Sequence, residues 1–114
     1  MGMALVVEDD PHLRSLVGTV LEEALDDQIV ACDSAEAAVA LLDECGGDLD
    51  IMVTDIELAG AMTGLELAAI ARRRFPTLIV IVTSCRTRPD AMPDNTSFLP
   101  KPWCPLDLIQ RAQR

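Results

Sequence analysis

The chain has 114 residues, enough for one domain with a single core, and half of them are apolar. This composition excludes a disordered tail, and the small number of aromatic residues requires an aliphatic core. The net charge of −10 disfavours binding to nucleic acid or to an anionic membrane surface, because both are negatively charged.

The first predicted strand is a short apolar run, residues 4–7, whose lack of alternation indicates burial on both faces. A helix is expected next, because Asp10 is a good N-cap and Pro11 loses no useful hydrogen bond at the first helical position. Six apolar residues at helical spacing then form one stripe: Leu13, Leu16, Val17, Val20, Leu21 and Ala24.

The second predicted unit is a strand over residues 28–32 followed by another helix. We expect Asp33 to cap this helix, with Glu36 three residues later as its capping-box partner. Two glycines, Gly46 and Gly47, end the helix. Its buried face is predicted from five residues at helical spacing: Ala35, Ala38, Leu41, Leu42 and Cys45.

The third predicted unit begins with a strand over residues 51–54. A loop containing Gly60 and Gly64 separates this strand from a helix over residues 65–75. The last turn of the helix carries three consecutive arginines. Cations there interact favourably with the helix dipole, so we do not interpret them as a nucleic-acid site.

The last third of the chain predicts two more strands, over residues 78–82 and 98–99. The first of these is the strongest β signal, because it is apolar and rich in β-branched residues. Between them the alternation would place a helix, but two prolines disfavour a long one, so we expect a short helical turn or a mobile loop at 84–96. Pro105 opens a final helix, in which we expect Leu106, Ile109 and Ala112 to face inward.

Strands that alternate with helices predict one doubly wound parallel sheet with helices on both faces and right-handed crossovers. The carboxyl ends of parallel strands meet at one edge, where open α/β sheets bind ligands. Four of the predicted strands end on polar residues suited to phosphate chemistry: Glu8 with Asp9, then Asp55, Thr83 and Lys101.

These polar residues predict a divalent cation and a phosphoryl group. Glu8, Asp9 and Asp55 would repel one another without a cation, and hard carboxylate oxygens suit Mg²⁺. A carboxylate such as Asp55 can attack phosphorus and form an aspartyl phosphate. Thr83 can donate to a phosphoryl oxygen, and Lys101, between two prolines, can act as a point charge. Taken singly, each residue also has a purely structural interpretation as a helix start, loop acid, strand end or surface charge.

Four segments of the chain resemble the receiver domains of two-component response regulators: LVVEDD at 5–10, VTD at 53–55, VIVTS at 80–84 and FLPKP at 98–102. The resemblance covers nearly the whole chain and implies a (βα)₅ flavodoxin-like (CheY-like) fold. We expect one receiver domain over residues 1–114 with no output domain, present as a monomer or weak homodimer.

The resemblance also implies how the chain handles a phosphoryl group. Asp55 would accept it from a sensor histidine kinase or a phosphotransfer protein, and a downstream protein would recognise the altered surface. Asp9 and Asp55 would hold Mg²⁺ directly, Glu8 largely through water, and Glu57 through its backbone carbonyl. No enzymatic activity is expected beyond phosphorylation and dephosphorylation of the domain itself.

The switch implied by the resemblance involves two residues besides the acids. Thr83 would bind the phosphoryl group while Lys101 pairs with it, and Phe98 stands where the family has its switch aromatic. Phe98 lacks the hydroxyl of a tyrosine switch, so a buried ring is its expected resting state. The proline-bearing residues 84–96 resemble a subgroup of stand-alone receivers with Arg-x-Arg-Pro after the Thr-Ser pair.

Two other functions stay open from the sequence. The loop at 58–64 is apparently one residue longer than is usual in the family, which keeps open a degenerate receiver that binds partners without phosphorylation. A Mg²⁺-dependent phosphohydrolase acting on an external substrate shares the same acid, threonine and lysine chemistry. Against it, Glu57 stands two residues after Asp55 in place of a D-x-D acid.

The remaining sequence features indicate a cytoplasmic protein. The four cysteines lack C-x-x-C spacing and the chain has one histidine, so we expect reduced thiols and no zinc site. No secretory signal is visible at the start of the chain. No apolar stretch approaches the roughly 20 residues of a membrane span, so no membrane partner is expected.

Overall fold

Five parallel strands form one sheet in the computed structural model, which describes residues 2–113. Their spatial order is β2-β1-β3-β4-β5, with β2 and β5 at the edges. The bounds are β1 Met3–Val7, β2 Gln28–Cys32, β3 Ile51–Asp55, β4 Ile79–Ser84 and β5 Thr96–Pro100. Each strand lies within two residues of its predicted position. The ends of the predicted domain, Met1 and Arg114, fall outside the described residues.

Four helices cover the two faces of this sheet: α1 Pro11–Leu25, α2 Ala35–Cys45, α3 Gly64–Arg74 and α4 Pro105–Ala112. Helices α2 and α3 pack on one face, in a core cluster that includes Leu42 and Leu67. Helices α1 and α4 pack on the other face, in a second cluster that includes Leu21 and Leu108. In the described part of the chain, no helix is both long and apolar enough to span a membrane.

The buried stripes of the helices are narrower than the sequence predicts. In α1, Leu16 and Ala24 are exposed, and the fully buried residues are Val17 and Leu21, four positions apart on one face. In α4, Leu106 is 60% exposed, whereas Leu108 and Ala112 are buried. Since successive helical residues are separated by about 100°, Leu106 lies on the side opposite Leu108.

The start of α2 also differs from its predicted cap. Ser34, and not Asp33, is the N-cap, and its hydroxyl accepts a hydrogen bond from the backbone N–H of Ala37 at 3.1 Å. Because α2 therefore begins one residue later, Glu36 occupies the second helical position and does not complete a capping box, which requires an acid at the third. The Glu36 side chain contacts the loop after β3 instead.

Helix α3 begins and ends one residue earlier than predicted, and it starts with a capping box formed by Thr63 and Glu66. Two of its arginines have structural partners. Arg72 donates to the backbone oxygens of Pro76 and Asn95, and Arg74 forms an ion pair with Asp43 at 2.8 Å. These contacts agree with the structural interpretation of the arginine triplet.

Residues 85–95, between β4 and β5, form an irregular segment without a helix, although the sequence allowed a short helical turn there. Residues 2–113 therefore form five strands and four α-helices. The two prolines of this segment, Pro89 and Pro93, each remove a backbone N–H donor, which accounts for the missing helix. The segment leads directly from the end of β4 to β5, beside the edge of the sheet where the predicted site residues lie.

Candidate functional site

Three carboxylates converge at the carboxyl edge of the sheet. Glu8 and Asp9 directly follow β1, and Asp55 ends the adjacent strand β3. One carboxylate oxygen from each residue lies within 4.8 Å of the other two. Glu8 and Asp55 are buried, whereas Asp9 is exposed. The topology thus brings together the three acids that the sequence grouped.

Lys101 reaches these acids from the end of β5. Its Nζ lies 3.0 Å from Glu8 Oε1 and 3.3 Å from Asp55 Oδ2. Its backbone N–H donates to the carbonyl oxygen of Ser84 at 2.9 Å, which fixes the start of its side chain beside β4. The lysine is therefore a positive charge held between two buried carboxylates.

Burial dominates the ionisation of this cluster. It raises the pKa of Glu8 and of Asp55 above the ordinary carboxyl values, and the Lys101 ammonium offsets only part of that effect. For Lys101 burial acts in the opposite direction, but its hydrogen bond and charge interactions with Glu8 and Asp55 outweigh burial and raise its pKa. Lys101 therefore stays charged at neutral pH.

The acid cluster fits a divalent cation. Asp55 Oδ1 is buried and accepts no hydrogen bond from any residue between 2 and 113. A buried carboxylate oxygen without a donor is costly unless a cation compensates it. Glu8, Asp9 and Asp55 supply the hard oxygen ligands that Mg²⁺ prefers.

Thr83 lies next to Asp55 across the sheet. The two residues are paired in the register of β3 with β4, and both are buried. The backbone N–H of Ile56 donates to the Thr83 carbonyl oxygen at 2.9 Å, which ties the residue after Asp55 to the end of β4. The strand pairing therefore places Thr83 beside Asp55 at the carboxyl edge of the sheet.

Two predicted residues lie apart from the acid cluster. Phe98 pairs with Val82 in β5, is half-buried and packs against the core cluster on the α2/α3 face. Glu57 is exposed, and its Oε1 accepts a hydrogen bond from the Ser84 hydroxyl at 2.7 Å. The side chain of Glu57 therefore faces Ser84, and a metal contact from this residue would have to come from its backbone.

Sequence reasoning missed three residues that support the site. Arg14 donates from a guanidinium nitrogen to the Glu8 carbonyl oxygen at 2.9 Å, and Ser84 binds Glu57 as described. Glu36 Oε2 accepts from the backbone N–H groups of Ala61 and Met62, both at 3.1 Å. Ser84 had a detectable signal, a hydroxyl beside Thr83 at a strand end, but the other two had none.

The loop between β3 and α3 is anchored at both ends. The N–H of Gly64 donates to the Ile56 carbonyl oxygen at 2.9 Å, and a Cβ on Gly64 would overlap the carbonyl oxygen of Asp55. Gly60, in the middle of the loop, has φ of 103°, a conformation that favours glycine. The two glycines therefore let this loop close tightly against Asp55.

An apolar groove of about 610 Å³ adjoins the acid cluster. Lys101 belongs to both, and Leu16, which is 47% exposed, contributes to the groove from α1. The groove is lined by Leu13, Leu16, Cys85, Lys101, Pro102 and Trp103. A molecule that approaches Asp55 from solvent on this side meets an apolar surface.

Comparison with known proteins places these features in a family. Residues 4–113 match the model of the response regulator receiver domain. The transcriptional regulatory protein AruR of Pseudomonas aeruginosa is 32% identical over 117 residues, which cover 96% of this chain and 47% of that protein. The DNA-binding transcriptional regulator NtrC of Proteus hauseri is 32% identical over 97% of this chain and 24% of its own length. The chain thus spans less than half the length of these relatives.

Solved structures confirm the predicted flavodoxin-like, CheY-like fold. The receiver domain of the hybrid histidine kinase CckA matches with a TM-score of 0.81 and 27% identity, over 98% of this chain and 100% of that chain. A receiver domain protein from Clostridium thermocellum reaches a TM-score of 0.84 at 18% identity, over 98% and 91% of the two chains. At that identity the likeness concerns the fold alone.

Proposed function

The chain belongs to the response regulator receiver domain family, and from this premise we propose that it accepts a phosphoryl group on Asp55. The proposal depends mainly on one observation, the convergence of Lys101, Glu8 and Asp9 around the Asp55 carboxylate. Carboxylates of this type form acyl phosphates when positive charge stabilises the transferring group.

The proposed transfer starts from the ionised carboxylate of Asp55. One of its oxygens bonds to phosphorus as the bond between phosphorus and a donor histidine nitrogen breaks. The electron pair of that bond stays on the imidazole, which takes up a proton from solvent. Lys101 lies 3.3 Å from Asp55 and neutralises charge on the transferring group, while the Thr83 hydroxyl donates to a phosphoryl oxygen. When bound by Glu8, Asp9, Asp55 and the Glu57 carbonyl, Mg²⁺ would supply further positive charge.

The proposed donor is a sensor histidine kinase or a phosphotransfer protein. Its histidine must come within bonding distance of Asp55, so its surface must cover part of the apolar groove beside Lys101. Phosphorylation is proposed to draw Thr83 toward the phosphoryl group, with movement of residues 85–95 and Phe98. A downstream protein would then bind the rearranged surface. Action as a single-domain regulator stays a prediction.

Labelling with a small phosphodonor tests the proposal. We expect acetyl phosphate and Mg²⁺ to add the mass of one phosphoryl group to the wild type, and a chelator to prevent the addition. Asp55→Asn should not be labelled, whereas Asp33→Asn, at an exposed aspartate outside the cluster, should behave as the wild type. Intact-protein mass spectrometry measures both. Equal labelling of the wild type and Asp55→Asn would contradict the proposal.

The same preparation separates the two other functions. Trp103 is the sole tryptophan of the chain and lines the groove with Lys101, so its fluorescence should respond to Mg²⁺. No response up to millimolar Mg²⁺ would favour a degenerate receiver. Sustained release of inorganic phosphate from a phosphorylated metabolite would favour a phosphohydrolase, whereas the proposed domain should release it only from Asp55.

A further inference from the structure

One hydrogen bond connects the loop between β3 and α3 to the end of β4, next to the acid cluster. The Ser84 hydroxyl donates to Glu57 Oε1 at 2.7 Å and accepts from the backbone N–H of Arg86 at 2.9 Å. Ser84 is the last residue of β4 and is only 1% exposed. Because the Ser84 hydroxyl is buried and both donates and accepts here, the contact with the exposed Glu57 carboxylate contributes to holding the strand end.

The loop that carries Glu57 is held in place by hydrogen bonds to its neighbours. Its loop is anchored to α2, because Glu36 accepts from the N–H groups of Ala61 and Met62. It is anchored to β4 as well, through the hydrogen bond from Ile56 to Thr83. Glu57 thus projects from a loop that is held at several points.

Ser84 is followed by residues 85–95, a segment with few hydrogen bonds to the rest of the domain. Within the described residues, the hydrogen bonds of 85–95 lie at its two ends. Arg86 donates to Ser84 at one end, and at the other Arg72 donates to Asn95 and the Thr96 hydroxyl contacts the Asp94 carbonyl oxygen. The position of Ser84 therefore determines where this segment starts.

We propose that Glu57 is a positioning residue: through Ser84 it holds the end of β4 and residues 85–95 in the resting arrangement, and the contact opens when Asp55 is phosphorylated. In the holding step, Glu57 fixes Ser84 in the resting protein through their hydrogen bond. In the opening step, phosphorylation of Asp55 breaks that hydrogen bond, and this step rests on the proposed function. The Glu57–Ser84 hydrogen bond thus acts as a latch on the end of β4.

Two effects of a phosphoryl group act against the latch. The group adds negative charge two residues from the Glu57 carboxylate, which disfavours Glu57 in its present position. Movement of Thr83 toward the phosphoryl group also displaces Ser84, because the two are adjacent in β4. Since the latch stabilises only the resting arrangement, breaking it by substitution should favour the phosphorylated one.

Amide exchange in the unphosphorylated protein tests the holding step. Glu57→Ala removes the acceptor, and we expect the amide of Arg86, which donates to the Ser84 hydroxyl, to exchange about tenfold faster than in the wild type. Glu57→Gln is the matched control, because its amide oxygen still accepts from Ser84, and its exchange should stay near the wild-type rate. Glu57→Ala should add nothing to Ser84→Ala. If Glu57→Ala leaves the exchange of the Arg86 amide unchanged, no holding step exists.

Binding of beryllofluoride with Mg²⁺, a mimic of the phosphoryl group, tests the opening step. We expect Ser84→Ala to bind the mimic about five- to tenfold more tightly than the wild type, and this gain to vanish in the Glu57→Ala background. Wild-type affinity in Ser84→Ala, or the same gain in both backgrounds, would show that the latch persists after activation and overturn the opening step.

The two measurements separate failure of the latch from failure of the proposed function. A wild type that neither binds beryllofluoride nor accepts a phosphoryl group contradicts the proposed function and, with it, the opening step. The exchange measurement uses no phosphodonor, so it decides the holding step in either case.

Discussion

Lys101 supplies positive charge to the acid cluster in the resting protein. Its ammonium is nearer to Glu8 than to Asp55, at 3.0 and 3.3 Å. A buried ion pair of this kind has to offset the desolvation of its members, and removing one partner leaves the other buried and uncompensated. Lys101 thus compensates two acids that a bound cation would also compensate.

Replacement of Lys101 should therefore strengthen metal binding and weaken phosphorylation. A unit charge about 4 Å away is worth about 1 kcal/mol even at the dielectric constant of water, so Lys101→Met should bind Mg²⁺ about fivefold more tightly. The variant should accept a phosphoryl group from acetyl phosphate more slowly. Isothermal titration calorimetry measures the affinity, with Arg111→Met, at an exposed position of α4, as control. Unchanged Mg²⁺ affinity would show that Lys101 does not compete with the metal.

The raised pKa of Glu8 predicts a pH-dependent stability. Burial lets the folded chain keep the Glu8 proton above pH 4.5, the ordinary pKa of a glutamate. Between the unfolded and folded pKa values the folded state binds more protons, so its stability falls as pH rises. Without metal, Glu8→Gln should therefore gain stability relative to the wild type as the pH rises above 4.5 through the raised pKa of Glu8.

Urea unfolding at several pH values measures this difference, with Glu22→Gln, at an exposed position of α1, as control. Excess Mg²⁺ should reverse the trend, because the metal favours the ionised carboxylate. A constant difference between Glu8→Gln and the wild type across this range would mean that Glu8 titrates alike in both states.

The loop between β3 and α3 determines the surroundings of Asp55 at the level of secondary structure. It closes so tightly that Gly64, the first residue of α3, lies against the Asp55 backbone. Two backbone N–H groups of this loop, those of Ala61 and Met62, donate hydrogen bonds to the carboxylate of Glu36 in α2 and not to a group within the loop. Hydrogen bonds from its own backbone N–H and, to a smaller extent, from the N–H groups of Met62 and Ala61 lower the pKa of Glu36. Helix α2 follows the edge strand β2, yet it helps to hold the loop after β3, although β1 lies between these two strands in the sheet.

Gly64→Ala should be destabilising because the new Cβ overlaps the Asp55 carbonyl oxygen, and backbone must move to accommodate it. We expect a loss of about 1–3 kcal/mol in the free energy of unfolding. Gly47→Ala is the matched control, since a Cβ there meets no atom within 4 Å, and its change should stay within about 0.5 kcal/mol. Denaturant unfolding measures both variants. Equal stabilities would contradict the close approach of α3 to Asp55.

The surface of the domain combines strong negative charge with one apolar groove beside the site. A net charge of −10 opposes non-specific contact with other acidic proteins, so a phosphodonor needs a surface that compensates for this repulsion. The groove that contains Leu16 and Lys101 offers such a surface next to Asp55.

Leu16→Glu should slow phosphotransfer from a histidine kinase that phosphorylates the wild type by at least about tenfold, because it places a charge in the groove. Labelling by acetyl phosphate, which needs no docking surface, should change little. Leu106→Glu is the control, because Leu106 is also an exposed leucine, at 60%, and does not line the groove. Radiolabel transfer measures the rates. A kinase that transfers equally fast to both variants would exclude this groove as its docking surface.

Prediction from sequence was most successful for the strands and the acids. A strand buried on both faces must be apolar throughout, so residues 4–7 and 78–82 could be identified from composition and length. Because parallel strands share one carboxyl edge, Glu8, Asp9 and Asp55 could be placed together without coordinates. Leu16 and Leu106 were placed in the core wrongly, since an apolar residue near a helix face satisfies the same pattern without being buried.

The order of apolar runs and polar strand ends was enough to predict the fold, the family resemblance and the members of the acid cluster, because each follows from periodicity and topology. Only the three-dimensional structure decided which side chains contact one another across loops. Ser84 meets Glu57, Glu36 meets Ala61, and Lys101 meets Glu8 because of loop conformations that have no repeating pattern. Such contacts join residues up to 93 positions apart, and the position of one partner depends on the packing of the rest.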